Sequence, residues 1–233
     1  MIGDSVPWRD ELLKSAVRLR RWNTQKHWTE RTYFLAERDI MMGTYSIRRL
    51  IDSAKSSSML PGKRTPTVRY PIVGRKPLAL DRFDPERFYS LQRPTKSELE
   101  VGRLCNQIIH SFVFQIFFEE DSTTSVVFVS DLDRGKHLHG IRFDVLADLF
   151  DYVGREDIID YAGAIIGGEQ TIVNTSNHDA VESGRARYID DHRVVTEWIY
   201  EEVPPFDEAV LEMVGRRMAE AREQRERESE GAD

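Results

Sequence analysis

Two histidines separated by one residue, His137 and His139, carry the type and spacing that come nearest to a metal site. In an extended strand alternate residues share a face, so the sequence HLH presents both imidazoles to the same side. Two neutral imidazoles converging on one point suit a divalent metal, with a carboxylate or a third histidine completing the set. Asp131 and Asp133, in the preceding SDLDRGK, supply carboxylates, and His110, His178 and His192 are further donors along the chain. Paired carboxylates in a loop after a strand also hold Mg²⁺ against phosphate substrates. Against this stands the fact that Asp favours turns for local reasons, by bonding its own backbone. The histidine pair also lacks the helical spacing of an HExxH metal motif. The metal expectation is therefore His137, His139, Asp131 and Asp133, and its alternative is two strand histidines beside an ordinary turn.

A second polar set is Arg103, Asn106, Gln107 and His110. These residues stand three, four or seven apart and so fall on one side of a helix, next to an apolar side made of Val101, Leu104, Cys105, Ile108 and Ile109. Such a stripe can hydrogen-bond a ligand, with His110 as acid or base; His110 and Asp131 are the candidate catalytic residues. It can equally satisfy backbone groups where the sheet begins, since buried polar groups are nearly always paired. The near-universality of that pairing favours the structural role. GAIIGGE lacks the Lys-Ser/Thr of a phosphate-binding loop, no GxGxxG occurs, and no serine has the GxSxG setting. Cys105 sits among apolar neighbours, where a thiol packs rather than reacts.

The elements that must position these residues are concentrated between Ser97 and Val153. The sequence predicts a helix over SELEVGRLCNQIIH, strands at FVFQIFF, SVVFVSD and HLHGIRF, and a helix at DVLADLFDYV, with DSTT turning the first two strands into an antiparallel hairpin. Both faces of the FVFQIFF and SVVFVSD strands are apolar, so this sheet is expected to be covered on more than one side. Upstream, Pro7 to Trp22 reads as a helix with arginines at its C-terminal end. Thr29 caps a long second helix whose apolar face runs through Ile40, Gly43, Ile47 and Leu50. Gly43 implies a close neighbour there, most simply the first helix. Residues 56–96 are broken by prolines; TVRYPIV and ERFYSLQ read as short strands, with Pro71 placing the first at an edge or a bulge. Further on, REDIIDYAGAI reads as a short helix, EQTIVN and RVVTEWIYEE as strands, and FDEAVLEMVGRRMAEAREQRERE as a last amphipathic helix.

The fold class expected is α+β: an antiparallel β-meander packed against several helices, with a long N-terminal helix pair and an amphipathic C-terminal helix, since strands and helices do not alternate as in a parallel α/β fold. The expected organisation is one domain over residues 1–203, made of a helical part (1–57), an irregular wrap (58–96), the sheet core (97–153) and further α/β elements (154–203). A terminal helix and tail follow over 204–233.

The chain has 233 residues, of which 40% are hydrophobic and 31% charged, as in a globular protein with a real core. Its one cysteine excludes an internal disulfide and a multi-cysteine zinc site. The charged N-terminus does not read as a signal peptide, and no apolar run reaches the roughly 20 residues of a membrane span. A cytoplasmic protein with no membrane partner is expected. The net charge of −7 conceals a division: residues 1–80 hold 16 Lys+Arg against 7 Asp+Glu, leaving the remainder strongly acidic. A basic third of this kind can meet nucleic acid phosphates, or it can dock on the acidic remainder of the same chain. With no catalytic signature, the leading expectation is a non-catalytic binding or accessory protein acting through a protein partner that takes the half-apolar C-terminal helix. The alternatives are a hydrolase or nuclease using a divalent metal at His137, His139 and Asp131, and nucleic-acid binding through the basic N-terminal region.

Overall fold

The computed structural model describes residues 4–119, 123–166, 169–179, 185–190 and 193–199. The expected helix over 206–228 and the candidate donor His192 lie outside these residues. The chain divides into two compact units, residues 1–50 with 60–155 and residues 51–59 with 156–233.

The first unit is an antiparallel five-stranded sheet packed by helices. Its strands are β1 (Arg64–Pro71), β2 (Thr95–Glu100), β3 (Ser111–Phe118), β4 (Thr124–Ser130) and β5 (His137–Arg142), in the order β2-β1-β5-β4-β3. The helices are α1 (Val6–Asn23), α2 (Glu30–Asp52), α3 (Val101–Ile109) and α4 (Phe143–Gly154). The α+β class and the β3-β4-β5 meander are those the sequence implies. Every residue of β4 is buried, as a strand apolar on both faces requires.

On one face, α1 and α4 pack together over β4 and supply Leu12, Ala16, Leu19, Leu146, Phe150 and Val153 to the core. Asn23, ending α1, accepts the Thr124 amide at 3.0 Å and ties that helix to the start of β4. Thr29 caps α2 by accepting the Thr32 amide at 3.2 Å. The neighbour that Gly43 admits is α4 and not α1. A Cβ at Gly43 would stand 2.2 Å from the ring of Phe150, which is fully buried.

On the other face, Tyr70, Val113, Val127, Val129 and Leu138 form a core with Phe88 and Tyr89. The last two come from the proline-punctuated strap between β1 and β2, which returns along β1 through Val73 N–H to Phe88 O at 2.7 Å and Ser90 N–H to Pro71 O at 2.9 Å. Within the strap, ERFYSLQ contributes a single bridge, Tyr89 with Ile72, rather than a strand. The Tyr89 hydroxyl donates to Arg134 O at 2.6 Å. Burial pushes that phenol up to about 12, and the Arg134 cation works against the shift.

Two local expectations fail inside this unit. Residues 95–100 are a strand paired to β1, and the helix begins only at Val101. Lys, Ser and Glu in this stretch tolerate either conformation, and the free edge of β1 decides it by burying Leu99. β1 is also interior, not an edge. It accommodates its prolines because Pro71 is its last residue and Pro66 lies where β1 pairs with β2 alone.

The second unit pairs β6 (Ile158–Ile166) with β7 (Glu169–Ser176), and β8 (Arg185–Asp190) with β9 (Arg193–Ile199). The helix expected over REDIIDYAGAI is therefore β6; its isoleucines suit a strand, and pairing to β7 overrides the helical spacing. Asn174 of β7 is a structural residue. Its buried amide donates to Ala54 O at 2.8 Å and Ser56 O at 3.2 Å, while its backbone exchanges hydrogen bonds with Ser58. Asn174 opens an Asn-Thr-Ser sequence of the kind that accepts N-linked sugar, and its burial leaves no exposed amide to modify.

Candidate functional site

The sequence of α3 explains why one member of its polar stripe is buried and the others are not. Val101, Leu104, Cys105 and Ile108 face the core, and Gln107 lies at the margin of that apolar side, 5% exposed. Arg103 and Asn106 are one step further round and exposed, and His110 is exposed at the C-cap. Gln107 is buried, so its amide must find protein partners, and it bonds the sheet: its Oε1 accepts the Ser130 amide at 2.8 Å and its Nε2 donates to Asp133. The structural role expected of the stripe is thus carried by Gln107 alone. Gln107→Leu should cost about 1–3 kcal/mol by stranding the Ser130 amide, measurable as a lower urea midpoint, whereas Asn106→Ala should change it little.

The two aspartates of DLD diverge. Asp131 is exposed and pairs with Arg134 at 2.6 Å. Asp133 turns inward, where Lys136 at 2.6 Å, Gln107, and Arg103 at 3.6 Å surround its two oxygens. Those hydrogen bonds, Lys136 first, hold its carboxyl below the ordinary range against the opposing effect of burial. Cys105 is fully buried, and burial pushes its thiol up to about 12, so it is a packing residue.

His137 and His139 do share a face, with ring centroids 4.5 Å apart. His137 is half-buried; burial first, then the Arg69 and Arg103 cations, lower its basicity. His139 is 1% exposed, lies parallel to the Phe128 ring at 5.8 Å, and has no hydrogen-bond partner on either ring nitrogen. Burial, then His137, Arg103 and Arg69, push it down to about 3, so it is neutral at ordinary pH. Arg69 is its cross-strand neighbour on β1, as Phe128 is on β4.

The structure therefore brings Arg103, Gln107 and Asp133 into one hydrogen-bonded group next to His137 and His139, and it leaves Asn106, His110 and Asp131 out. Among the described residues, no group of three or more His, Cys, Asp or Glu side chains stands close enough to hold a metal ion. Asp133, the nearest carboxylate to the histidines in electrostatic reach, has both oxygens occupied by Lys136, Gln107 and Arg103. His178 belongs to the second unit. Arg69, which sequence reasoning passed over, is the addition; only the pairing of β1 with β5, bridging distant segments, places it there.

A second feature was not legible at all. On the strap face of the sheet lies a cavity of about 750 Å³, lined by Val68, Tyr70, Phe117, Val127, Ile141 and Val145 among others, with Glu119 and Arg142 at its margin. Gly140 forms its floor. A Cβ there would stand 2.8 Å from Val68 and 3.0 Å from the Tyr70 ring, so the central strand can carry no side chain at this position without displacing them. The Tyr70 hydroxyl has no hydrogen-bond partner among the described residues; burial, and then the Glu119 carboxylate, raise its pKa and keep it protonated. Arg142 is engaged by Asp144 at 2.7 Å.

No protein-family model, curated protein or solved structure significantly matches this chain.

Proposed function

We propose that this chain is a non-catalytic binding protein that takes a small amphipathic amine into the cavity on the strap face of its sheet. The observation that carries the reading is the cavity itself: its volume lies within the range of small-molecule sites, about 300–1,000 Å³, and its lining mixes apolar side chains with polar ones, Tyr70, Gln92, Glu119 and Arg142 among them. Tyr70 and Glu119 bring a hydroxyl and a carboxylate to the same cavity, close enough to interact electrostatically, which suits a basic or hydroxyl-bearing group, while Val68, Phe117, Val127 and Val145 receive the apolar body. Arg142, already bonded to Asp144, leaves the acidic group as the charge available to a ligand.

The other readings find less support. The helix that the sequence offers to a protein partner lies outside the described residues. The metal-hydrolase reading lacks a third ligand among them. Much of the basic N-terminal region is used internally: Arg18 pairs with Asp39 and Glu11, Arg20 with Asp148 and Asp151, and Arg75 with Asp81. No helix among the described residues is long and apolar enough to cross a membrane.

A thermal-shift series of apolar amines against carboxylates of matched shape tests the proposal. The amines should raise the melting temperature of the wild type. Val145→Trp, which fills the cavity from its half-exposed wall, should abolish the shift, and Glu119→Gln should weaken it about tenfold in affinity, as loss of one charge-assisted contact implies. Equal responses to amines and carboxylates, or a shift that survives Val145→Trp, would reject this site.

A further inference from the structure

The opposite face of the same sheet holds a different kind of group. Arg69 on β1, Arg103 on α3, Lys136 in the β4–β5 turn, and His137 and His139 on β5 gather around one carboxylate, Asp133. That carboxylate is spent: Lys136 occupies one oxygen, and Gln107 and Arg103 the other. Arg69 makes no ion pair among the described residues, and its position opposite His139 in the β1–β5 register sets it beside the paired imidazoles. His139, almost completely buried, offers ring nitrogens that no protein group meets. The local charge is thus positive before either histidine takes a proton, and Arg69 and the two imidazoles each have an N–H to donate.

We infer that Arg69, Arg103, His137 and His139 form a binding site for a divalent oxyanion of the phosphate class. Arg69 and Arg103 approach from the sheet and from the helix, and a guanidinium presents paired N–H groups that match a tetrahedral oxyanion. His137 stands at the accessible side and His139 behind it, each able to donate one N–H while neutral. Asp133 is the structural counter-charge: held by Gln107 and Lys136, it keeps Arg103 turned toward the sheet without neutralising Arg69. A metal cation would meet the reverse conditions, because the arginines repel it and the carboxylate it needs is already engaged. An anion removes the repulsion that disfavours imidazolium, so its binding and protonation of the histidines reinforce one another. The groups that set this balance are Arg69, Arg103, Lys136, Asp133 and the two histidines themselves.

The test is a histidine-ring NMR titration of the whole chain with inorganic phosphate at low and at moderate salt. Addition of phosphate should shift the His137 and His139 signals and raise the apparent titration midpoint of His137 by about one pH unit, while the exposed His27 and His110 serve as internal references. Arg69→Gln with Arg103→Gln, both at exposed positions, should abolish the shift with the fold retained, and salt should weaken it in the wild type. No selective change at His137 and His139, or a change that persists in the double variant, would overturn the site. Sulfate gives a second reading should the double variant prove unfolded: a dianion of the same shape should shift the same two signals in the wild type, and silence there would equally reject the inference.

Discussion

Replacing His139 by Phe should make this protein less sensitive to mild acid. The imidazole is buried without a hydrogen-bond partner and titrates at about 3 in the folded chain, against an ordinary value of 6.5. Between those values the unfolded chain binds a proton that the native chain refuses, so stability rises with pH and falls as the solution is acidified from 6.5. The slope for one such group is about 1.4 kcal/mol per pH unit, giving a loss of about 2 kcal/mol by pH 5. His137, lowered for the same reasons, adds to the loss in the same direction. Asp133, Asp144 and Asp151 are held below their ordinary value of 3.8, so their contribution persists above about pH 4 and is lost only on further acidification. The difference between wild type and variant over the window from pH 7 to 5 therefore isolates His139. In His139→Phe, a ring that can lie against Phe128 as the imidazole does replaces two unsatisfied nitrogens, a change that is commonly neutral or stabilising. Urea unfolding of both proteins at pH 7 and pH 5, in a buffer without oxyanions, is the measurement. If the variant loses as much stability on acidification as the wild type, the folded chain protonates His139 and its isolation is refuted.

Gly43 and Phe150 should behave as one packing unit. Helix propensity alone makes Gly43→Ala stabilising by about 1 kcal/mol. The added methyl would lie 2.2 Å from the ring of Phe150, which is fully buried, so the ring must shift within a packed core. Overpacking of that kind costs about 1–3 kcal/mol or more, so the steric term wins and the sign reverses. Phe150→Ala should cost about 3–5 kcal/mol through lost burial and the cavity left behind. Combined, the two changes relieve one another, since the methyl enters space that the ring vacates. The double variant should be more stable than the sum of the single changes by about 1 kcal/mol or more. Strict additivity in a double-mutant cycle would mean that α2 and α4 do not meet at this position.

Local pattern carried much of this. The alternation in FVFQIFF and SVVFVSD and the polar turn between them implied an antiparallel meander apolar on both faces. The three-and-four spacing after Thr29 implied a long amphipathic helix. Residue type could not decide TKSELE or REDIIDYAGAI, where polar or isoleucine-rich stretches adopt whichever conformation finds a partner. Both became strands because a strand edge lay alongside, and that edge comes from residues distant in the chain.

The candidate chemistry divides in the same way. That His137 and His139 share a face, that the stripe on α3 adjoins an apolar side and that Cys105 is packed can be read from residue order, because each follows from the period of a single helix or strand. Folding adds that Gln107 and not His110 joins the helix to the sheet, that Asp133 is neutralised while Asp131 turns outward, that Arg69 stands beside the histidines, and that Gly140 floors a cavity under the strap. Most of these depend on contacts between segments distant in the chain, and the free energy that selects them is burial and hydrogen-bond satisfaction summed over the whole sheet, which no local window of sequence contains.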